Sequence, residues 1–92
     1  MATPTQLKNR QIKLRRQISE LLGDFLIGSV STKGPKRPGF NLTYKVDQVT
    51  KSRHIRKDME KQVLRMTKRH QRIKQLLQQL ADVNWELLKV EE

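Results

Sequence analysis

Ten lysines and arginines fall between residues 51 and 74: Lys51, Arg53, Arg56, Lys57, Lys61, Arg65, Lys68, Arg69, Arg72 and Lys74. Only Asp58 and Glu60 oppose them, a net of +8 within a chain of formal charge +11. Side chains of this type make and break no bonds; their chemistry is the neutralisation of anions. Crowded on one element they repel each other until a polyanion or an acidic surface comes near. Lys57, Lys61, Arg65, Lys68, Arg69 and Arg72 recur at steps of mostly three and four residues, which on a helix brings them to one side. These six are the first expected phosphate contacts. Lys36 and Arg37, in a Gly/Pro-rich loop, and Arg53 and Arg56 beyond it form a second expected group. Such contacts confer affinity and salt dependence rather than sequence choice. A face that served solubility alone would ordinarily mix both signs. The expected ligand is nucleic acid, RNA or duplex DNA. An extended single strand is disfavoured because the chain offers only Phe25, Phe40, Tyr44 and Trp85 as stacking surfaces.

Other chemistry is poorly supported. His54 and His70 are sixteen residues apart with no cysteine in the chain, so no metal site is expected. The stretch Gly34-Pro35-Lys36-Arg37-Pro38-Gly39 lacks the strand-to-helix setting and the Lys-Ser/Thr ending of a phosphate-binding P-loop. No nucleophile stands near a base and no paired carboxylates occur in an apolar setting. We therefore expect no enzyme, no cofactor and no small-molecule substrate. Absence of cysteine suits a reducing compartment, and neither a signal-peptide core nor a membrane-spanning run is evident. A soluble cytoplasmic protein is the expectation.

The elements that must position these charges follow from periodicity. With 92 residues, 35% of them apolar, one domain with a modest core is expected over residues 1–92. Leu7, Leu14, Ile18, Leu21 and Leu22 lie within an arc of about 100° on a helical wheel. They mark a basic amphipathic helix over 5–22, with Pro4 in its first turn. Gly23 and Asp24 end it, and Phe25 to Ser31 opens with apolar residues that suit a strand, weakened or bulged at Gly28. A basic loop over 32–39, also holding Lys33, joins it to the alternating strand Phe40, Leu42, Tyr44, Val46. After a turn at 47–50, Lys51 to Arg56 would pair back and complete a small antiparallel sheet over 25–56. Asp58 would then cap a long helix over 58–90. The fold class is α+β: a helix, a two- or three-stranded antiparallel sheet, and a long coiled-coil-like helix.

That final helix carries a heptad seam. Met59, Met66, Ile73, Leu80 and Leu87 repeat every seven residues, interleaved by Val63, His70, Leu77 and Asn84. A helix of this length would span about 45 Å, more than a small sheet covers, so the remainder must meet the first helix, a second copy or another protein. Beyond Gln75 the balance turns acidic, with Asp82, Glu86, Glu91 and Glu92 against Lys89. Phosphate contact is thus assigned to the first half and protein contact to the second. Met66, Ile73, Leu77, Leu80, Asn84, Trp85 and Leu87 are the candidate interface, serving a homodimer or a larger protein partner. His70 is expected in the seam, hydrogen-bonding across it. Trp85 reads by default as core, with an interface anchor as the alternative, and Asn84 as a register-fixing seam residue.

From Phe25 onward the chain resembles a family of short bacterial proteins of unknown function, often encoded beside transposases. The residues that carry the likeness are Gly28-Ser29-Val30-Ser31, then Gly34 to Gly39, then Phe40 with Leu42, Thr43 and Tyr44. Lys51, Arg53 and Ile55 follow, and finally Leu77, Leu80 and Asn84. Many relatives place cysteines in the loop in an arrangement that suggests metal binding; this chain has none, so no metal role carries over. Thr50 stands where the family has glycine. The resemblance implies a hairpin followed by a helix, and a mobile-element setting. The expected role as a non-enzymatic nucleic-acid-binding accessory of a nucleoprotein assembly rests on the basic residues themselves, with a protein-interaction module docking through the heptad seam as the alternative.

Overall fold

The computed structural model describes residues 2–32 and 39–91. In chain order it contains α1 (Pro4–Leu21), β1 (Ser29–Thr32), β2 (Phe40–Val46), β3 (Val49–Ile55), a short 3-10 turn (Lys57–Met59) and α2 (Glu60–Glu91). This is the α+β arrangement expected from the sequence. The chain divides into two compact units, one formed by residues 1–23 with 71–92 and the other by residues 24–70. Helix α2 contributes its first turns to the second of these and its remainder to the first.

In the helical unit, α1 starts on a capping box. The Thr3 hydroxyl accepts from the Gln6 amide at 3.2 Å, and the Gln6 side chain accepts from the Thr3 amide at 3.1 Å, with Pro4 at the first helical position. Two amide donors that a helix start leaves orphaned are thereby satisfied. The expected apolar stripe is the buried one: Leu7, Leu14 and Ile18 form a core with Leu76, Val83 and Leu87, flanked by Leu21 and Leu80. Leu21 borders the same depression as Leu76, and Leu7 the same one as Val83, so α1 runs antiparallel to this part of α2.

In the sheet unit the strands are ordered β1-β2-β3, both pairs antiparallel. The β2–β3 hairpin turns on Asp47 and Gln48, both at positive φ, 51° and 68°, as a tight two-residue hairpin turn requires. This lengthens the third strand to Val49–Ile55, starting earlier than the expected Lys51. Leu42 and Ile55 of the sheet bury against Val63 of α2, with Val30, Phe40 and Tyr44 partly covered. The opposite face carries Ser31, Asn41, Thr43, Ser52 and His54, a polar surface consistent with the alternation of β2.

Two expectations need correction here. Phe25, Leu26 and Ile27 do not form strand; pairing begins only at Ser29. The segment instead lies along α2: the Leu26 amide donates to the Met66 carbonyl at 3.2 Å, the Phe25 ring stacks on His70 at 5.7 Å, and Asp24 pairs with Arg69. Backbone and side-chain partners on the helix take the place of a ladder. Asp58, expected to cap the long helix, lies inside the 3-10 turn, whose N-cap is Arg56, and its carboxylate holds the Arg56 guanidinium at 3.4 Å.

Gly28 is fixed at φ 140°, and a Cβ there would stand 2.7 Å from the Thr43 carbonyl oxygen and 2.9 Å from Leu42 Cδ1. Gly28→Ala therefore meets a strained backbone and a rigid neighbour together. We expect it to cost about 2–4 kcal/mol of stability, read by chemical denaturation.

Candidate nucleic-acid interface

The basic half of α2 presents its charges according to what lies under each. Val63 and Thr67 are buried, with Met66 and His70 half-buried. The Thr67 hydroxyl is satisfied by donating to the Leu64 carbonyl at 3.0 Å. On the side of the helix away from these residues stand Lys61, Arg65 and Lys68, four and three residues apart and all exposed. Lys57, exposed on the preceding 3-10 turn, adds a fourth cation. Among the described residues none of the four enters an ion pair. No acidic residue occurs between Lys61 and Ala81.

The remaining expected contacts are differently placed. Arg69 is half-buried and pairs with Asp24, so its guanidinium anchors the segment before β1. Arg56 is engaged by Asp58. Arg53 belongs to the helix-facing side of the sheet, opposite Leu42 in the ladder. Its Nε donates to the Tyr44 hydroxyl at 2.8 Å, and its guanidinium lies 5.0 Å from the centre of the Tyr44 ring. That packing holds the side chain by stacking as well as hydrogen bonding. Arg72 is exposed and belongs to the helical unit, where its Nη1 donates to Gln75 at 3.3 Å. Lys36 and Arg37, with Lys33, lie outside the described residues.

The candidate protein interface is redistributed as well. Ile73 and Leu87 are buried within the chain, and Leu80 packs against the α1 core. Met66 is half-buried. The interleaved positions change phase after Ile73: Leu76 and Val83 are buried, one residue ahead of the expected Leu77 and Asn84. Leu77 is 49% exposed, and Asn84 accepts a 2.7 Å hydrogen bond from Gln11 Nε2 of α1. Asn84 thus ties two helices of one chain together at the margin of their core. Trp85, read by default as core, is 61% exposed, with the Lys89 ammonium 5.9 Å from its ring. His70 meets Phe25 by stacking instead of hydrogen-bonding across a seam.

Among the described residues no group of three or more His, Cys, Asp or Glu side chains could hold a metal ion. No helix among them is long and apolar enough to cross a membrane. No family model, no curated protein and no solved structure matches the chain.

Proposed function

We propose that the protein is a non-enzymatic nucleic-acid-binding accessory subunit that grips phosphates of RNA or duplex DNA through Lys57, Lys61, Arg65 and Lys68. One observation carries this reading: three exposed cations stand on the side of α2 turned away from its core and a fourth, Lys57, is exposed on the turn that leads into it, with no ion pair among the described residues. Arg53, Arg56 and Arg69 serve this reading as supports, because each is held by a neighbour in its own unit. The setting we propose with it is a nucleoprotein assembly of a mobile element in the cytoplasm.

The test is binding of the purified chain to a labelled DNA duplex and to a structured RNA of equal length across a salt series. Neutralising several phosphates makes affinity fall steeply and linearly on logarithmic axes, with a slope of about −0.9 per contact on duplex DNA. A flat salt profile on both ligands would remove the reading.

A second reading, docking on a protein, is favoured by one specific feature. Leu77, Trp85 and Leu88 are 49%, 61% and 57% exposed and share one side of α2 with Ala81, given their spacing. Exposed apolar stripes of this kind mark contact surfaces. On this reading the contact face is Leu77, Trp85 and Leu88, since Leu80 and Leu87 are covered by α1. Replacing Trp85 and Leu88 by aspartate should abolish any self-association seen by analytical ultracentrifugation and leave helicity intact. An unchanged oligomeric state would count against a homodimer through this face.

A further inference from the structure

The helical unit carries a second concentration of positive charge that the phosphate-binding reading has not used. Between α1 and α2 of that unit runs a groove of about 530 Å³ whose polar lining is Arg10, Lys13, Arg72 and the amides of Asn9, Gln17 and Gln79. No carboxylate lines it. Its apolar floor is Leu14, which is buried in the α1–α2 core. Arg10 and Lys13 are exposed on α1 and approach from one wall, while Arg72 approaches from the other. Arg72 gives one N–H to Gln75, which leaves most of its five donors for a ligand. Asp82 and Glu86 lie in the adjoining depression that Arg10 also borders. At the other end Glu20 lines a depression shared with Gln17 and Arg72, so carboxylates flank the groove at both ends and its positive charge is concentrated between them.

We infer that this groove seats a phosphodiester stretch of the bound nucleic acid, with Arg10, Lys13 and Arg72 neutralising phosphates and the Asn9, Gln17 and Gln79 amides donating to their oxygens. The inference rests on the nucleic-acid reading above and adds α1 to the contact surface. Three cations with three amide donors around a walled groove match the donor set that fixes a nucleic-acid backbone, in which side-chain amides supplement Arg and Lys. Lys8 and Arg15 are also exposed on α1 but do not line the groove, and they supply a charge-matched comparison.

The experiment measures the salt dependence of duplex binding for the full chain, for R10Q/K13Q and for K8Q/R15Q. Far-UV circular dichroism verifies that each variant folds. Loss of two phosphate contacts should reduce the magnitude of the slope by about 2 and weaken binding at 0.1 M salt by roughly 60-fold for R10Q/K13Q. K8Q/R15Q should stay within a few-fold of the unsubstituted chain. Equal behaviour of the two variants, beside a salt-dependent unsubstituted chain, overturns the groove alone. A salt-independent unsubstituted chain overturns the groove together with the reading on which it rests. A measurement that needs no variant is the NMR shift of the Gln17 and Gln79 side-chain amides on adding duplex. Movement of these resonances is expected, and their constancy at saturation overturns the groove.

Discussion

Replacing Lys57, Lys61, Arg65 and Lys68 together by glutamine is expected to weaken duplex binding by about three orders of magnitude at 0.1 M salt and to flatten the salt slope by about 3–4. The size of the effect follows from the absence of competition within the chain. Each of these cations is exposed, and among the described residues none is held by a carboxylate. Glutamine keeps a similar helix propensity and a polar, uncharged end, so α2 should persist and circular dichroism should be unchanged. Arg69→Gln makes an informative contrast, because its partner is Asp24. Removing it should change the salt slope little and should loosen the segment before β1, at a cost of about 1 kcal/mol or less for a partly exposed pair. Fluorescence anisotropy across a salt series reads both variants. A slope unchanged by the fourfold replacement would place the phosphate contacts elsewhere.

Leu76→Ala is expected to destabilise the helical unit by about 3 kcal/mol, whereas Leu77→Ala should cost no more than about 0.5 kcal/mol. Leu76 is 1% exposed and lies among Leu14, Ile18 and Leu21, so its truncation leaves a cavity in the α1–α2 core. Leu77, its neighbour in sequence, is 49% exposed and has little packing to lose. A domain of this size has roughly 5–14 kcal/mol in total, which makes the first change a large fraction. It should lower the melting temperature by roughly 15 °C in circular dichroism at 222 nm. Because the cores of the two units are separate, the helical signal is the one to follow and a single transition is not assumed. The reverse ranking would mean that the heptad runs unbroken through Leu77.

The phase of that helix marks the boundary of what the sequence could reveal. A straight helix drifts about 20° per heptad against a strict seven-residue repeat, and α2, at 32 residues, is long enough for the drift to matter. It also serves two cores. Val63 answers to Leu42 and Ile55 of the sheet, and Leu76, Val83 and Leu87 answer to α1. The step in phase falls where one neighbour gives way to the other. Trp85 illustrates the same point: its apolar character is plain in the sequence, but whether a face is covered depends on which neighbour arrives. Arg53 and Arg69 resembled free cations until Tyr44 and Asp24 came within reach.

By itself the sequence determined the order and type of the elements, because periodicity, turn residues and charge runs are properties of neighbouring positions. The amphipathic stripe of α1, the alternation of Phe40–Val46, the uninterrupted run of α2 and the acid-free stretch after Glu60 are all of this local kind. Only the tertiary structure decided that Phe25–Ile27 would line a helix instead of joining a sheet, that the buried stripe of α2 would change phase after Ile73, and which basic side chains would be held by neighbours. Those outcomes depend on contacts between residues far apart in the chain, such as Asp24 with Arg69 and Gln11 with Asn84, and no local pattern encodes which distant partner a side chain will meet.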